Sequence, residues 1–439
     1  MQPILTSAQM RDADARAVAT RGVDALVAAA GTAVGLAARS LLGSCYGRRV
    51  LVVVGPGLNG ADGRVAAHWL SGRGARVDVV RVADQPFATT AYDLYVDAAF
   101  GLGCSRAYVA PRVAPETRVL AVDLPSGVDA DSGELLGSPA RADVTVALGA
   151  LKPAHVTGAA SLLVGAVRLA GLGIVEEFVD ALVEDADLAA LVSVGRDDHK
   201  WSHAVQVFAG SGLMPGAAEL CVRGALAGGA SMVRLATRGD VVTLAHLPPE
   251  VVRSDDPVAD PRCRAVVAGP GLGADAPAWL ATRLDATTPT VLDADGLHRD
   301  LVDAGAPWIL TPHDGEYARL AGHAVPTQRL EAARALARDL GVTVLLKGPT
   351  TVVASPAGPL RVVRSGTPAL ATAGSGDVLA GLIGATLARG HDPLSAGALC
   401  AHLHGRAGAD LDTYALASDV ALSARDLLFR LASIGAALA

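Results

Sequence analysis

Residues 371–381 read ATAGSGDVLAG and run straight into an apolar helical pattern. Consecutive amides at Gly374, Ser375 and Gly376 can cradle anionic oxygens at a helix amino end, where unpaired N–H groups and the backbone dipoles both favour negative charge. Asp377 falls in the first turn of that helix. An acid there can simply complement the dipole. Beside an anion cradle it can instead take the proton from a hydroxyl as that oxygen attacks phosphorus. Lys347, in LLKGPTTVV (residues 345–353), sets a point charge next to a glycine turn, a place for a phosphate or for a solvated strand end. His313 follows an apolar run in LTPHDGE (residues 310–316), with Glu316 one helical turn on. That pair reads as a substrate-facing histidine or as a helix cap beside a surface acid.

The amino-terminal half carries a second set. Residues 55–63, GPGLNGADG, follow the run VLVVV and precede a helical pattern. Glycines let backbone approach a ligand such as a diphosphate, although a bare strand-to-helix turn needs them too. Asp97 lies in YVDAAFGLG (residues 95–103) and Asp123 opens DLPSGVDADSG (residues 123–133), each at a strand end. Asn59, Asp97, Asp123 and Ser126 are therefore expected to converge as oxygen donors, with an acid or base among them. Hard oxygen ligands without His or Cys suit an alkali or alkaline-earth cation better than zinc.

The elements that must position these groups alternate. Residues 7–42 are Ala-rich with apolar residues at helical spacing, and Ser7 is a candidate cap. Short β-branched runs follow at residues 50–54, 77–82, 94–96, 119–122 and 144–148, separated by several helix-length segments. An acidic, Ala-rich stretch from Glu176 to Asp187 and the polar cluster GRDDHKWSH (residues 195–203) mark the boundary. A second series then starts, with strands expected at 205–208, 232–235, 265–268, 290–293, 308–310, 342–346, 351–353 and 360–363. The alternation predicts mostly parallel sheets wrapped by helices, with ligands at the loops after strand carboxyl ends.

Bulk composition narrows the class. With 439 residues, two domains are expected, and 51% hydrophobic against 18% charged residues suits large cores. A net charge of -7 gives no global attraction to nucleic acid or an anionic membrane, and neither partner is expected. The five cysteines form no Cys-x-x-Cys pair, so neither a disulfide framework nor a zinc site is indicated. No long apolar stretch runs without Gly, Arg or Asp, and the first residues lack a basic segment before an apolar core. A cytoplasmic location is the expectation.

In this order, GPGLNGADG, VDAAFGLG, DLPSGVDADSG and ALKPAH resemble the epimerase family that acts on hydrated NADH and NADPH, over about residues 1–175. The resemblance implies that Leu58, Asn59, Gly60, Ala61 and Asp62, with Gly101, Leu102, Gly103, Cys104, Ser105, Arg106 and Ala107, hold the hydrated dinucleotide. It further implies that Asn59, Asp97 and Ser126 bind potassium and that Asp123 serves as acid or base. Lys152, in ALKPAH, is read as a phosphate contact or a solvated lysine. Leu58 and Ala61 stand where that family usually has Asn and Gly, and Ala61 would be strained if its backbone needed positive φ.

The second half resembles the ribokinase-like superfamily through GSGD. Adding AGSGLMPGAAEL (209–220), AGPGLG (268–273), LDADGL (292–297), LTPHDGE and LLKGPTTVV, it is similar to the ADP-dependent dehydratases of hydrated NADH and NADPH, over about residues 190–430. That likeness implies contacts to the hydrated cofactor from Ala217, Gly273, His313 and Asp377. It implies nucleotide contacts from Lys347, Gly348, Pro349, Thr350 and Thr351, with Gly374, Ser375 and Gly376. ADP as co-substrate, Mg2+ and K+ are the implied small molecules, and a homo-oligomer is expected. The implied fold is α/β: a Rossmann-like three-layer sandwich over residues 1–180 and a ribokinase-like three-layer sandwich over 190–439. The implied function is repair of hydrated NADH and NADPH, by a lyase with an isomerase half. A ribokinase-like kinase of a small alcohol, with a non-catalytic amino-terminal ligand-binding domain, is the alternative.

Overall fold

The computed structural model describes residues 1–84, 92–175, 177–192, 198–239, 247–254, 258–411 and 415–438. The chain folds into two compact units, Gln2–Asp180 and Ala181–Ala439. Of the expected boundary, Glu176 and residues 193–197 lie outside the described residues.

The first unit is built on a parallel sheet. In spatial order its strands are Arg76–Arg81, Arg49–Val54, Leu94–Ala98, Arg118–Val122, Val144–Leu148 and Ala166–Ala170. Numbered along the chain this is order two, one, three, four, five, six, so the chain reverses direction between Arg49–Val54 and Leu94–Ala98. A doubly wound sheet binds its ligand at that reversal, outside the strand carboxyl ends. Side chains alternate: Val50, Val52 and Val54 pack with Val34, Ala66 and Leu70 on the helical face, and Leu51 and Val53 pack with Tyr95 and Tyr108 on the other. Both faces are covered, which is why VLVVV reads as an unbroken apolar run. Ala166–Ala170, an edge strand of sequence AVRLA with no fully buried residue, gives no comparable signal in the sequence.

The opening helical stretch is two helices, Ser7–Arg21 and Val23–Leu42, broken at Gly22, whose φ of 80° a helix cannot hold. Thr6 rather than Ser7 is the cap, because its hydroxyl accepts the Gln9 amide at 3.3 Å while the Gln9 side chain returns to the Thr6 amide. Asp24, Gly31, Gly35 and Arg39 interrupt Val23–Leu42 as expected, although by length and composition this helix is long and apolar enough to cross a membrane. In this fold its Val34, Ala37 and Ala38 are buried against the sheet, and Gly31 and Gly35 let it press on Val65 and Trp69 of the helix Leu58–Ser71.

The second unit is a larger sheet. Its spatial order runs Asp180–Leu182, Leu360–Val363, Thr351–Ala354, Thr343–Leu346, Trp308–Leu310, Thr290–Leu292, Ala265–Ala268, Ala204–Ser211, Met232–Arg238 and Val251–Arg253. Pairings are parallel from Thr343–Leu346 to Val251–Arg253, whereas Thr343–Leu346, Thr351–Ala354 and Leu360–Val363 form an antiparallel meander. The helices Pro215–Ala227, Ser375–Ala388 and Pro393–Ala409 share one apolar cluster with Val205, Val267, Val291 and Ile309 of the strands. Ser375–Ala388 is apolar nearly all round because it runs through the middle of that cluster.

Candidate active sites

In the first unit a cleft of about 470 Å³ opens at the chain reversal. Its floor is the turn after Arg49–Val54 and the turn after Leu94–Ala98, so Leu58, Asn59, Asp62, Gly101, Leu102, Gly103 and Asp123 line it. Gly60, Ala61 and residues 104–107 do not reach its wall. Gly60 instead lets the helix start press against the turn, since a Cβ there would sit 2.1 Å from the Gly55 oxygen. Ala61 is helical and free of positive φ, so its replacement of glycine costs nothing in backbone strain.

Asp123 lines this cleft with a strained backbone, φ of 64°, as does Leu172 with φ of 54°. One carboxylate oxygen accepts Lys152 Nζ at 2.5 Å and the Leu148 amide at 3.3 Å; the other accepts the Leu102 amide at 3.3 Å. Lys152 is only 1% exposed, so it is not a solvated lysine: it lines the cleft as the buried counter-ion of Asp123. His155 holds both in place. Its Nδ1 accepts the Lys152 amide at 2.8 Å, which leaves Nε2 to donate to the Asp123 carbonyl at 2.7 Å. Burial, aided by Lys152, pushes the His155 pKa down to about 4, so the ring is neutral.

Two further carboxyls face this pair. Burial, with Asp123 and Asp14 adding repulsion, raises the Asp62 pKa to about 7. Asp14 is raised by burial as well, against the pull of Lys152. Sequence reasoning misses Asp14, although Met10 and Asp14, four residues apart, present one helical face to the cleft. Asp97 and Ser126 lie beneath the cleft rather than on its wall. The Ser126 hydroxyl and amide donate to Asp97 at 2.6 and 2.9 Å, and the Phe100 amide donates to Ser126 Oγ at 2.8 Å. Asp97 is fully buried, burial raises its pKa, and no cationic side chain pairs with it among the described residues.

In the second unit the loops after neighbouring strands meet at the start of Ser375–Ala388. Gly374, with φ of 87°, turns the chain into the helix, and the Ser375 hydroxyl donates to the Leu370 carbonyl at 2.7 Å. The amides of Gly376 and Asp377 fall in the first turn, where no helical carbonyl precedes them. A Cβ on Gly376 would lie 3.5 Å from Lys347 Nζ and 3.8 Å from an Asp293 carboxylate oxygen. Lys347 donates to Asp293 at 2.8 Å and sits 3.7 Å from Glu316. Burial works against its charge, but Asp293 and Glu316 outweigh it and raise the pKa. Asp377 is pushed up to about 7 by burial and by Asp293, with Lys347 opposing. Asp293, 1% exposed, and Asp295, which accepts the Gly273 amide at 2.8 Å, are visible in the sequence only as part of LDADGL.

The structure bears out the helix-cap reading of His313, beside an acid, Glu316, that is buried rather than on the surface. Its Nδ1 caps the helix Asp314–Ala321 by accepting the Gly315 amide at 3.0 Å and the Glu316 amide at 3.3 Å, while Glu316 returns to the His313 amide at 2.8 Å. The imidazole stays mostly exposed, and its Nε2 lies 3.5 Å from Glu316 Oε1. Ala217 packs where a Cβ on Gly271 would come within 2.6 Å, bringing the starts of two loops together.

A family model described as NAD(P)H-hydrate dehydratase matches residues 205–428, and one described as YjeF-related protein N-terminus matches residues 23–91 and 81–154. The bifunctional NAD(P)H-hydrate repair enzyme Nnr of Mycobacterium tuberculosis is 41% identical over 400 residues, covering 82% of each chain. The chain belongs to the bifunctional NAD(P)H-hydrate repair enzyme family. A second member, from Synechocystis, is 33% identical over 403 residues, covering 78% of this chain and 77% of that one. The dehydratase half of the repair enzyme also resembles the Bacillus subtilis ADP/ATP-dependent NAD(P)H-hydrate dehydratase co-crystallised with ATP and Mg2+. The two share 30% identity at a TM-score of 0.50, over 56% of this chain and 96% of that one. A ribokinase-like protein of Enterococcus faecalis, 21% identical at a TM-score of 0.51, has the same fold.

Proposed function

We infer that this repair enzyme restores hydrated NADH and NADPH in two steps, epimerising the hydrate in its first unit and dehydrating it in its second. The observation that carries the dehydratase reading is Asp377: a carboxylate at the start of a glycine-opened helix, with a pKa of about 7, beside Lys347. Hydroxide leaves a reduced nicotinamide ring reluctantly, whereas a phosphate ester leaves readily. Asp377 takes the proton of the ring hydroxyl, and that oxygen attacks the terminal phosphorus of ADP as its bond to AMP breaks. The ring nitrogen's lone pair then expels phosphate, and loss of a proton from the adjacent ring carbon restores the reduced cofactor. Lys347 and the amides of Gly348, Gly374, Ser375 and Gly376 would hold the phosphates, with Pro349, Thr350 and Thr351 completing the nucleotide turn. Ala217, Gly273 and His313 would hold the hydrate.

Magnesium usually binds through one or two carboxylates plus nucleotide phosphates. Asp293 would fit that need, leaving Asp377 free as base, and the ion would neutralise phosphate oxygens there. In the first unit, Asp123 would pass the proton, held by Lys152, with Asp62 as a carboxyl able to keep a proton near neutrality. Asn59, Asp97 and Ser126 would hold potassium, which suits the buried, cation-free carboxylate of Asp97. A cytoplasmic homo-oligomer completes the reading, supported for location by five cysteines that are all free thiols.

The test is direct. Purified chain given hydrated NADH and ADP should restore the reduced-nicotinamide absorbance and release AMP and phosphate. ATP turnover that leaves a stable phosphorylated alcohol would instead support a kinase.

A further inference from the structure

We propose that Arg329 is a positioning residue that ties the nucleotide turn to the hydrate loop of the dehydratase, an inference that rests on the dehydratase reading. Arg329 opens the helix Arg329–Leu340 and its side chain is 14% exposed. Its guanidinium spends three donors on two different loops. Nη2 donates to the Lys347 carbonyl, Nε donates to the Thr350 carbonyl at 3.0 Å, and Nη1 donates to Asp314 Oδ1 at 2.8 Å. Asp314 directly follows His313, and Lys347 to Thr350 is the turn that carries the phosphate-facing lysine. One planar fork therefore sets the spacing of both.

The orientation matters as much as the tie. In a trans peptide the C=O and N–H point opposite ways. Drawing the Lys347 carbonyl onto the guanidinium turns the Gly348 amide away from it, which fixes the orientation of that donor in the nucleotide turn. The same contact explains why residue 348 is glycine. A Cβ there would lie 2.5 Å from Arg329 Nη2 and 3.0 Å from its central carbon, so any side chain pushes the fork out of the turn. The glycine makes room for an arginine of the protein as well as for a ligand. Nothing in the motif LLKGPTTVV reveals this, because Arg329 lies outside it.

Lysine at 329 keeps the positive charge but loses the planar fork, which separates positioning from simple attraction of an anion. In the full-length chain, Arg329→Lys is expected to raise the KM for ADP by about tenfold while kcat stays within about threefold, since Asp377 is untouched. Gly348→Ala should reproduce that pattern, and the double variant should be no worse than either single one, because both break the same contact. Asp314→Asn, which leaves the two carbonyl bonds intact, should shift the KM for the hydrate more than that for ADP. Calorimetric titration with ADP alone gives the same ranking without turnover, so it remains decisive if the wild-type chain fails to dehydrate the hydrate, an outcome that would sink the activity reading separately. Unchanged ADP affinity in Arg329→Lys and Gly348→Ala, with melting curves like the parent's, overturns the proposal. So does additivity of the two.

Discussion

At the scale of single residues, charge buried without full compensation sets the chemistry. Asp377 is ionisable near neutrality because burial and Asp293 oppose its charge more than Lys347 supports it. Dehydration should therefore lose activity as pH falls through about 7, with the acidic limb of kcat/KM set there rather than near an ordinary carboxylate value. Asp377→Asn is expected to lower kcat by at least about a hundredfold while ADP still binds, which single-turnover assay and titration calorimetry would check. The same substitution should stabilise the fold. A carboxyl whose folded pKa exceeds its unfolded one costs stability as pH rises from about 4 to 7 and stays costly above. Asp377→Asn should therefore raise the melting temperature at pH 8 more than at pH 4, by on the order of 1–3 kcal/mol of unfolding free energy. An equal shift at both values would show that the carboxylate is not under that strain. Leu58 faces the cleft and is 60% exposed, so Leu58→Asn should leave folding unchanged and raise epimerisation. An unchanged rate with a purified epimer would mean the leucine is harmless.

At the scale of elements, the dehydratase site depends on two helices that touch through glycine. A Cβ at Gly381 would lie 2.1 Å from the Cys221 carbonyl, and one at Gly224 would lie 2.2 Å from the Val378 carbonyl. The helix Ser375–Ala388, which begins with the phosphate cradle, is thus seated directly on Pro215–Ala227. Gly381→Ala should cost about 1–3 kcal/mol, read as a lower urea midpoint, and should also depress turnover because it displaces Asp377 with its helix. Full stability in that variant would show that the two helices have room to separate. These contacts are not legible in the sequence. Gly381 reads as one more small residue in an apolar helix, and only the crossing of two helices makes it necessary. The strands are different: the β-branched runs of the inner strands stand out because both faces of each sheet are buried, whereas of the two edge strands of the first sheet, neither with a buried residue, Arg76–Arg81 is legible through its valines and Ala166–Ala170 is not.

At the scale of the whole molecule, the groups proposed for each site fall within one unit. Asp14, Asp62, Asp123 and Lys152 all belong to the first, and Asp293, Lys347 and Asp377 all belong to the second. A fragment beginning near Asp180 should therefore dehydrate the correct hydrate epimer with ADP on its own, and loss of that activity in a folded fragment would mean that the second site needs the first unit. The sequence by itself determined the two α/β halves, the reversal-point glycine loop, the helix-borne Asp377 and the order of motifs, because local chain geometry and burial periodicity are written residue by residue. Tertiary structure alone decided which charges meet: Lys152 with Asp123, Lys347 with Asp293, Arg329 with two loops. The physical reason is distance along the chain. Partners 15 to 54 residues apart carry no mutual spacing signal, and their protonation follows from burial that exists only once the sheets have formed.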